Sequence, residues 1–354
     1  MNQKIKYLRS KLNAMNLQGM IITDPLNIQY LTGIKAEGTL LLTRKENIYI
    51  TDSRYIEAAN TAITIEDEIV IYDSRNVSKY DYENFFALCK NIGFEEGNVT
   101  YKKYKKLLEY YKVNLIETED IIENLRIIKE TDEIEKIKKA CRITDNCFLH
   151  LQNYIKVGMT EKEIALEIEK YFRLNGADGL AFDSIVASGP NSSMPHAIPT
   201  DRKITEGDII TLDFGCKYKG YCSDMTRTIF VKYVPEEIKP VYDLVLENQN
   251  YILTELKDMA NIKILSNLVE NSFKLKGFMQ AHALGHGVGM EVHENPIISL
   301  NNNQYLKENM VVTNEPGIYV TGKFGVRIED TVLIHKNDCQ ALTVSQKDYV
   351  VVGK

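Results

Sequence analysis

No apolar run in the sequence approaches the roughly 18 residues that a membrane-crossing helix needs. The opening stretch MNQKIKYLRSKLNAM is too charged for the apolar segment of a secretory signal. The chain is therefore expected in the cytoplasm, with no membrane partner. An excess of basic charge is missing too: 43 Lys and Arg against 49 Asp and Glu leave a net charge of −6, the wrong sign for gripping a phosphate backbone. The one basic run, KKYKKLLEYYK at 102–112, reads as the exposed face of a helix rather than a nucleic-acid patch. The six cysteines show no CxxC spacing, which argues against a thiolate zinc cage or a disulfide framework and for reduced thiols. The glycines at 285, 287 and 289 are not followed by the Lys-Ser/Thr of a phosphate-binding loop.

What is present is a chain of 354 residues, 44% hydrophobic, enough for two globular domains. Up to about residue 122 helical and strand patterns alternate. Leu8, Leu12 and Met15 form a helical stripe, GMIIT (19–23), TLLLT (39–43) and NIYIT (47–51) read as strands, and SRYIEAANTA reads as a helix. ITIEDEIVIYD (63–73) then reads as a strand, and YDYENFFALCKNIG as a helix stopped by Gly93. This is a small α/β domain, 1–122, without clustered acids at metal-ligand spacing, so shape and partner contacts are its expected contribution.

A second domain, 123–354, is expected to begin with a long helix broken near Lys129. Thr131 is the candidate cap of its second segment, and Ile134, Ile137, Cys141, Phe148, Leu151 and Ile155 mark its buried stripe. A capping box, Thr160 with Glu163, opens a further helix that closes near Gly176. Beyond residue 181 strands alternate with loops rich in Gly, Pro, Asn and His. His196, His282, His286 and His293 fall in this half beside turn residues, whereas His150 and His335 read as ordinary histidines.

Two apparent hairpins carry the acids. In GDIITLDFGCKYKGYCSDMTRTIFV (207–231), a two-residue loop at Tyr218–Lys219 would set Asp213 directly opposite Asp224. Like charges so placed repel, so a cation between them is implied unless the register differs and both aspartates are solvated. In MVVTNEPGIYVTGKFGVRIEDTVLI (310–334), a turn centred on Gly322 would oppose Glu315 and Glu329, with Pro316 interrupting the ladder. Between them lies AHALGHGVGMEVHENP (281–296), where His282 and His286 share a face and the glycines allow close backbone approach. Asp213, Asp224, Glu315, Glu329 and His286 make an oxygen-rich set with one nitrogen, suited to divalent Mn, Co, Zn or Fe. Four carboxylates about balance two such ions, which can share a hydroxide nucleophilic at neutral pH.

At these residues the sequence resembles the metallopeptidase family of aminopeptidase P, prolidase and methionine aminopeptidase. LDFGCKYKGYCSDMTRT, HALGHGVGMEVHENP, NEPGIY and GVRIEDT carry the resemblance, which covers about residues 125–354. It implies an α+β fold: a C-terminal pita-bread metallopeptidase domain preceded by a smaller creatinase-like α/β domain. That N-terminal domain, generally missing from methionine aminopeptidases, favours cleavage of Xaa-Pro bonds by an aminopeptidase or dipeptidase.

The resemblance further implies two divalent ions, manganese foremost, held by Asp213, Asp224, His286, Glu315 and Glu329. Glu315 would also be the general base, and His282 would bond the scissile carbonyl or its oxyanion. His196 and His293 would line the substrate pocket, Arg327 would stand behind the metals, and Tyr319 would lie nearby. It implies as partners a peptide with proline at its second position and a second copy in a homodimer. Other classes compete: a catalytically silent pita-bread peptide-binding protein, a non-proline aminopeptidase, and metal-free creatine hydrolysis, against which the intact ligand set argues.

Overall fold

The computed structural model describes residues 3–63 and 68–353, which fall in two units, Met1–Leu125 and Arg126–Lys354. The first unit runs α1 (Gln3–Ala14), β1 (Met20–Ile22), α2 (Pro25–Thr32), β2 (Gly38–Leu42), β3 (Asn47–Thr51), α3 (Ile56–Ala62), β4 (Ile69–Asp73), α4 (Lys79–Phe85), β5 (Asn91–Phe94), α5 (Tyr101–Tyr111) and β6 (Asn114–Glu117). Its strands form one mixed sheet in the order β4-β3-β2-β1-β5-β6. The apolar runs read as strands lie in its interior, since Met20, Ile21, Ile22, Leu40, Leu41 and Leu42 are fully buried.

Three local expectations need adjusting. The helix after residue 79 ends at Phe85, and Gly93 stops nothing: it sits inside β5, between β1 and β6, where a Cβ would come within 2.6 Å of the Thr118 methyl. The apolar Ile92 and Phe94 made that short buried strand look like the end of a helix. Met15 lies past α1 and is exposed, so the buried stripe there is Ile5, Leu8 and Leu12. Of the run read as a strand over 63–73, Ile69–Asp73 is strand, and 64–67 lie outside the described residues.

The short α6 (Glu123–Arg126) precedes α7 (Thr131–Tyr154), so the helix does break near Lys129. Its cap is Glu130, one residue before Thr131: the Glu130 carboxylate and that of Glu133 each accept a backbone N–H at the helix start. All six residues of the expected stripe are buried. α8 (Glu161–Leu174) opens on the Thr160/Glu163 box as expected.

The remainder comprises β7 (Gly179–Leu180), β8 (Ile185–Ser188), β9 (Ile209–Phe214), β10 (Cys216–Tyr218), β11 (Tyr221–Cys222), β12 (Met225–Val231), α9 (Lys239–Glu255), α10 (Ile262–Leu275), β13 (Gly285–Gly287), β14 (Glu294–Ile298), β15 (Val311–Asn314), β16 (Gly317–Val320), β17 (Phe324–Arg327), β18 (Asp330–Ile334), β19 (Cys339–Ala341) and β20 (Val351–Val352). Two of its sheets carry or adjoin the acids, β20-β12-β9-β8 and β14-β13-β15-β18-β19. α7 and α8 cover the first through Phe148, Leu151, Ile164 and Phe172, while α9 and α10 cover the second through Val245, Ile252, Leu265 and Phe273. Each such side chain, removed from water, contributes about 1.5–3 kcal/mol. That burial holds rigid the strand ends on which the acids stand. No helix among the described residues is long and apolar enough to cross a membrane.

Candidate active site

The first hairpin differs from expectation in register. Its loop is Lys219–Gly220, with φ of 50° and 84°: left-handed backbone at both positions suits a two-residue hairpin loop, and glycine adopts it freely. Tyr218 is thereby paired with Tyr221, and Thr226, not Asp224, stands opposite Asp213. Asp224 precedes Thr226 by two residues, where the ladder breaks between β11 and β12, and so keeps to the same side. At that break a Cβ on Gly215 would lie 1.9 Å from the Ser223 carbonyl oxygen. The two aspartates meet diagonally rather than face to face.

The second hairpin has the expected register. Val311 to Asn314 pair with Leu333 to Asp330, and Gly317 to Val320 pair with Arg327 to Phe324, around a turn with Gly322 at φ 71°. Between these two ladders Pro316 has no N–H to give, and the N–H groups of Glu315 and Glu329 go elsewhere, to Leu284 and Thr226 carbonyls. Glu315 and Glu329 thus stand where chain segments cross.

His286 occupies the middle of β13, a strand that must be narrow. A Cβ on Gly285 would lie 2.1 Å from the Thr313 carbonyl, and one on Gly287 would lie 2.3 Å from that of Asn295. Nδ1 of His286 lies 3.1 Å from the Gly287 carbonyl, so that nitrogen carries a proton whichever state the ring is in, and Nε2 faces the acids, 3.3 Å from Glu315 Oε1 and 3.6 Å from Asp224 Oδ2. Asp224, His286 and Glu329 each offer an atom within 4.8 Å of the others.

Of the ten residues singled out in the sequence, nine line one cavity of about 280 Å³: Asp213, Asp224, His286, Glu315 and Glu329 with His196, His282, His293 and Arg327, while Tyr319 is bonded to the last and to His282. Asp224, His286, Arg327 and Glu329 are buried; His196 and His293 are exposed at its edge, His293 with its ring centre 4.3 Å from that of His286. Phe182, Ile185, Val292 and Ile297 supply an apolar wall that the sequence did not disclose. A hydrogen-bonded row runs behind the acids. Arg327 donates from Nη2 to Asp213 Oδ2 at 2.7 Å, from Nε to Thr226 Oγ1 at 3.1 Å and from Nη1 to the Tyr319 hydroxyl. The Thr226 hydroxyl in turn donates to Glu329 Oε2 at 2.7 Å, and Tyr319 donates to His282 Nε2 at 2.9 Å. Thr226 was missed in the sequence because its role follows from the register; placing the turn on Lys-Gly would have found it.

The electrostatics are those of an acid cluster short of positive charge. Burial, followed by the neighbouring carboxylates, pushes Asp224 and Glu329 well above the usual carboxylate range. Burial also raises Asp213, although Arg327 opposes the shift. Against burial, the bond from His286 pulls Glu315 down to about 2, and the same contact raises His286 to about 9. Burial lowers His282, and burial with the nearby His286 lowers His293. Asp213 Oδ1 and Asp224 Oδ1 are buried with no hydrogen-bond partner among the described residues. Unpartnered buried carboxylate oxygens are costly unless something cationic meets them. The donor set, hard oxygens with one imidazole, therefore fits divalent cations.

Residues 135–336 match the model of metallopeptidase family M24, and residues 4–128 match the creatinase/prolidase N-terminal domain. The chain belongs to metallopeptidase family M24. It is 36% identical to an uncharacterised peptidase of Bacillus subtilis over 99% of this chain and 100% of the relative. Among solved structures, this M24 peptidase resembles an Xaa-Pro dipeptidase from Bacillus anthracis (TM-score 0.94, 34% identity, 99% of each chain). It also resembles an X-Pro aminopeptidase from Thermotoga maritima (TM-score 0.89, 34% identity, 97% of this chain and 100% of the other). The M24 chain is thus a metallo-exopeptidase of the aminopeptidase P/prolidase type, with the two-domain α+β architecture expected, and its family implies divalent metal ions.

Proposed function

We propose that this peptidase removes the residue preceding a proline from the N-terminus of dipeptides or longer peptides, using two divalent ions, with manganese the first choice and Co, Zn and Fe the alternatives. The observation that carries the reading is the pair of buried carboxylate oxygens on Asp213 and Asp224, without a hydrogen-bond partner among the described residues and in the cavity lined also by His286, Glu315 and Glu329. These five residues would hold the metals. Bound divalent ions supply Lewis acidity and a water that is nucleophilic at neutral pH.

The chain's own groups do the rest. Glu315 takes the proton of the attacking water. His282 serves the scissile carbonyl; both its nitrogens are engaged at rest, Nδ1 with the Ala283 carbonyl and Nε2 with Tyr319, so the substrate carbonyl must replace that of Ala283. His196 and His293, exposed at the cavity edge, orient the peptide, and Arg327 fixes Asp213. The names of the similar proteins support proline at the second position. An Xaa-Pro bond is a tertiary amide lacking the N–H that general peptidases grip, so a dedicated pocket is required. A homodimer and a cytoplasmic location complete the reading.

The experiment compares Ala-Pro, a longer Ala-Pro peptide and Ala-Ala as substrates of the Mn-loaded protein. Cleavage of either proline substrate with Ala-Ala left intact is expected. Preference for Ala-Ala would make this a non-proline aminopeptidase, and inertness toward all three would favour a binding protein.

A further inference from the structure

His196 sits on a loop, residues 189–200, with no regular structure after its short opening 3₁₀ turn, yet its position is set with few degrees of freedom. Both ends of that loop converge on one carboxylate at the start of α8. Glu161, fully buried, accepts through Oε1 from the Ser188 N–H and hydroxyl, both at 2.7 Å, and through Oε2 from the Thr200 N–H at 2.9 Å and hydroxyl at 2.6 Å. Asn191 Nδ2 adds a donor 3.0 Å from Oε1. In return the N–H groups of Glu161 and Lys162, free at the helix start, donate to the Arg202 and Thr200 carbonyls. Arg202 closes the arrangement by donating to Ser188 Oγ and to Asp208.

The middle of the loop is pinned from the other side. Gly325 N–H donates to Ser192 Oγ at 2.9 Å, Gly322 N–H to Ser193 Oγ at 3.2 Å, and Arg327 Nη1 to the Pro195 carbonyl at 3.3 Å. The residue next to His196 is therefore bonded to the arginine that holds Asp213. Among the described residues no hydrogen bond fixes the His196 ring itself, so its backbone must.

We infer that Glu161 is a positioning residue: the buried carboxylate staples Ser188 to Thr200 and thereby holds His196 at the cavity edge. This rests on the reading that His196 acts on the substrate. A glutamine in its place could not do the same: its NH2 end cannot accept, so the N–H of either Ser188 or Thr200 loses its acceptor, even where the hydroxyl beside it turns to accept.

The test has two readouts. In metal-free protein, amide hydrogen exchange at Ser188 and Thr200 should quicken in Glu161→Gln while the strand of His286 stays protected. In Mn-loaded protein, Glu161→Gln should lower kcat/KM for an Xaa-Pro peptide about tenfold, the worth of a bond to a charged group, with metal content unchanged. In a His196→Ala background the same change should cost under about threefold, because coupled residues lose less than the sum. Thr200→Val, which removes a single hydroxyl, should show a smaller loss with the same background dependence and serves if Glu161→Gln does not fold. Unchanged exchange, or equal losses in both backgrounds, overturns the inference. Full activity of His196→Ala overturns the role of His196 and this inference with it. A wild-type protein inert toward Xaa-Pro peptides contradicts the proposed function instead, and exchange alone then decides whether Glu161 staples the loop.

Discussion

Arg327 and Asp213 face each other across 2.7 Å, guanidinium Nη2 to carboxylate Oδ2, and the arginine's remaining arms are committed to Thr226 and Tyr319. One buried cation therefore sets the orientation of an aspartate, a hydroxyl bonded to Glu329 and a phenol bonded to His282. Lysine carries the same charge but not the planar fork. Arg327→Lys should keep the metals, whose ligands remain, and lose about 10- to 100-fold in kcat/KM, the range expected for one or two bonds to charged groups. Metal analysis beside steady-state kinetics checks it.

Thr226 is a link between Arg327 and Glu329 that no charge count would reveal. Thr226→Val keeps the shape and removes both an acceptor and a donor inside the protein, leaving Arg327 Nε and Glu329 Oε2 short of a partner. The expected cost is about 1–3 kcal/mol of stability, read by chemical denaturation of the metal-free protein, together with weaker metal retention.

How much of this was legible in the sequence depended on turn chemistry. Gly322 centred the second hairpin, and the paired positions of Glu315 and Glu329 followed. In the first hairpin the expected loop, Tyr218–Lys219, falls one residue before the observed Lys219–Gly220, and so matches Asp213 with Asp224 instead of Thr226. The site survives that slip because Asp224 and Thr226 lie on one side of the strand. Gly93 misled for a related reason: beside buried Ile92 and Phe94 it marks close strand packing, which a four-residue pattern does not distinguish from the end of a helix. The apolar wall of Phe182, Ile185, Val292 and Ile297 carries no periodic signal toward the cavity, and Glu161 reads as an ordinary first-turn acid of α8, so only the fold reveals them.

Strong acid should loosen the His196 loop. Burial opposes ionisation of Glu161 and Asp208, but donors from Thr200 and Ser188 in one case, and from Arg202 and Thr205 in the other, hold both below the usual carboxylate range. A depressed folded-state value means that the stabilisation is complete above the unfolded-state value, near 4 for such groups, and is lost as pH falls through the lower folded-state value. Glu161→Gln should therefore be less stable than wild type at pH 7 and converge toward it below about pH 4. Denaturant titrations at the two pH values measure the difference.

Glu315 and His196 separate the two halves of the site. Glu315→Ala removes a proposed ligand and base, and should lose metal as well as turnover. His196→Ala should keep its metal and lose rate, about 10- to 1,000-fold by analogy with the removal of a transition-state hydrogen-bond donor. Metal content and single-turnover rates of the two variants settle the assignment.

The most direct measurement is metal stoichiometry set beside cleavage of an Xaa-Pro peptide in the same preparation, before chelation, after it and after return of Mn. The account predicts two divalent ions per chain, cleavage abolished when they are removed and restored when they return, with uptake weakening as pH falls because the ligands must be deprotonated. Cleavage undiminished in fully metal-free protein, or a single ion at full activity, would contradict it.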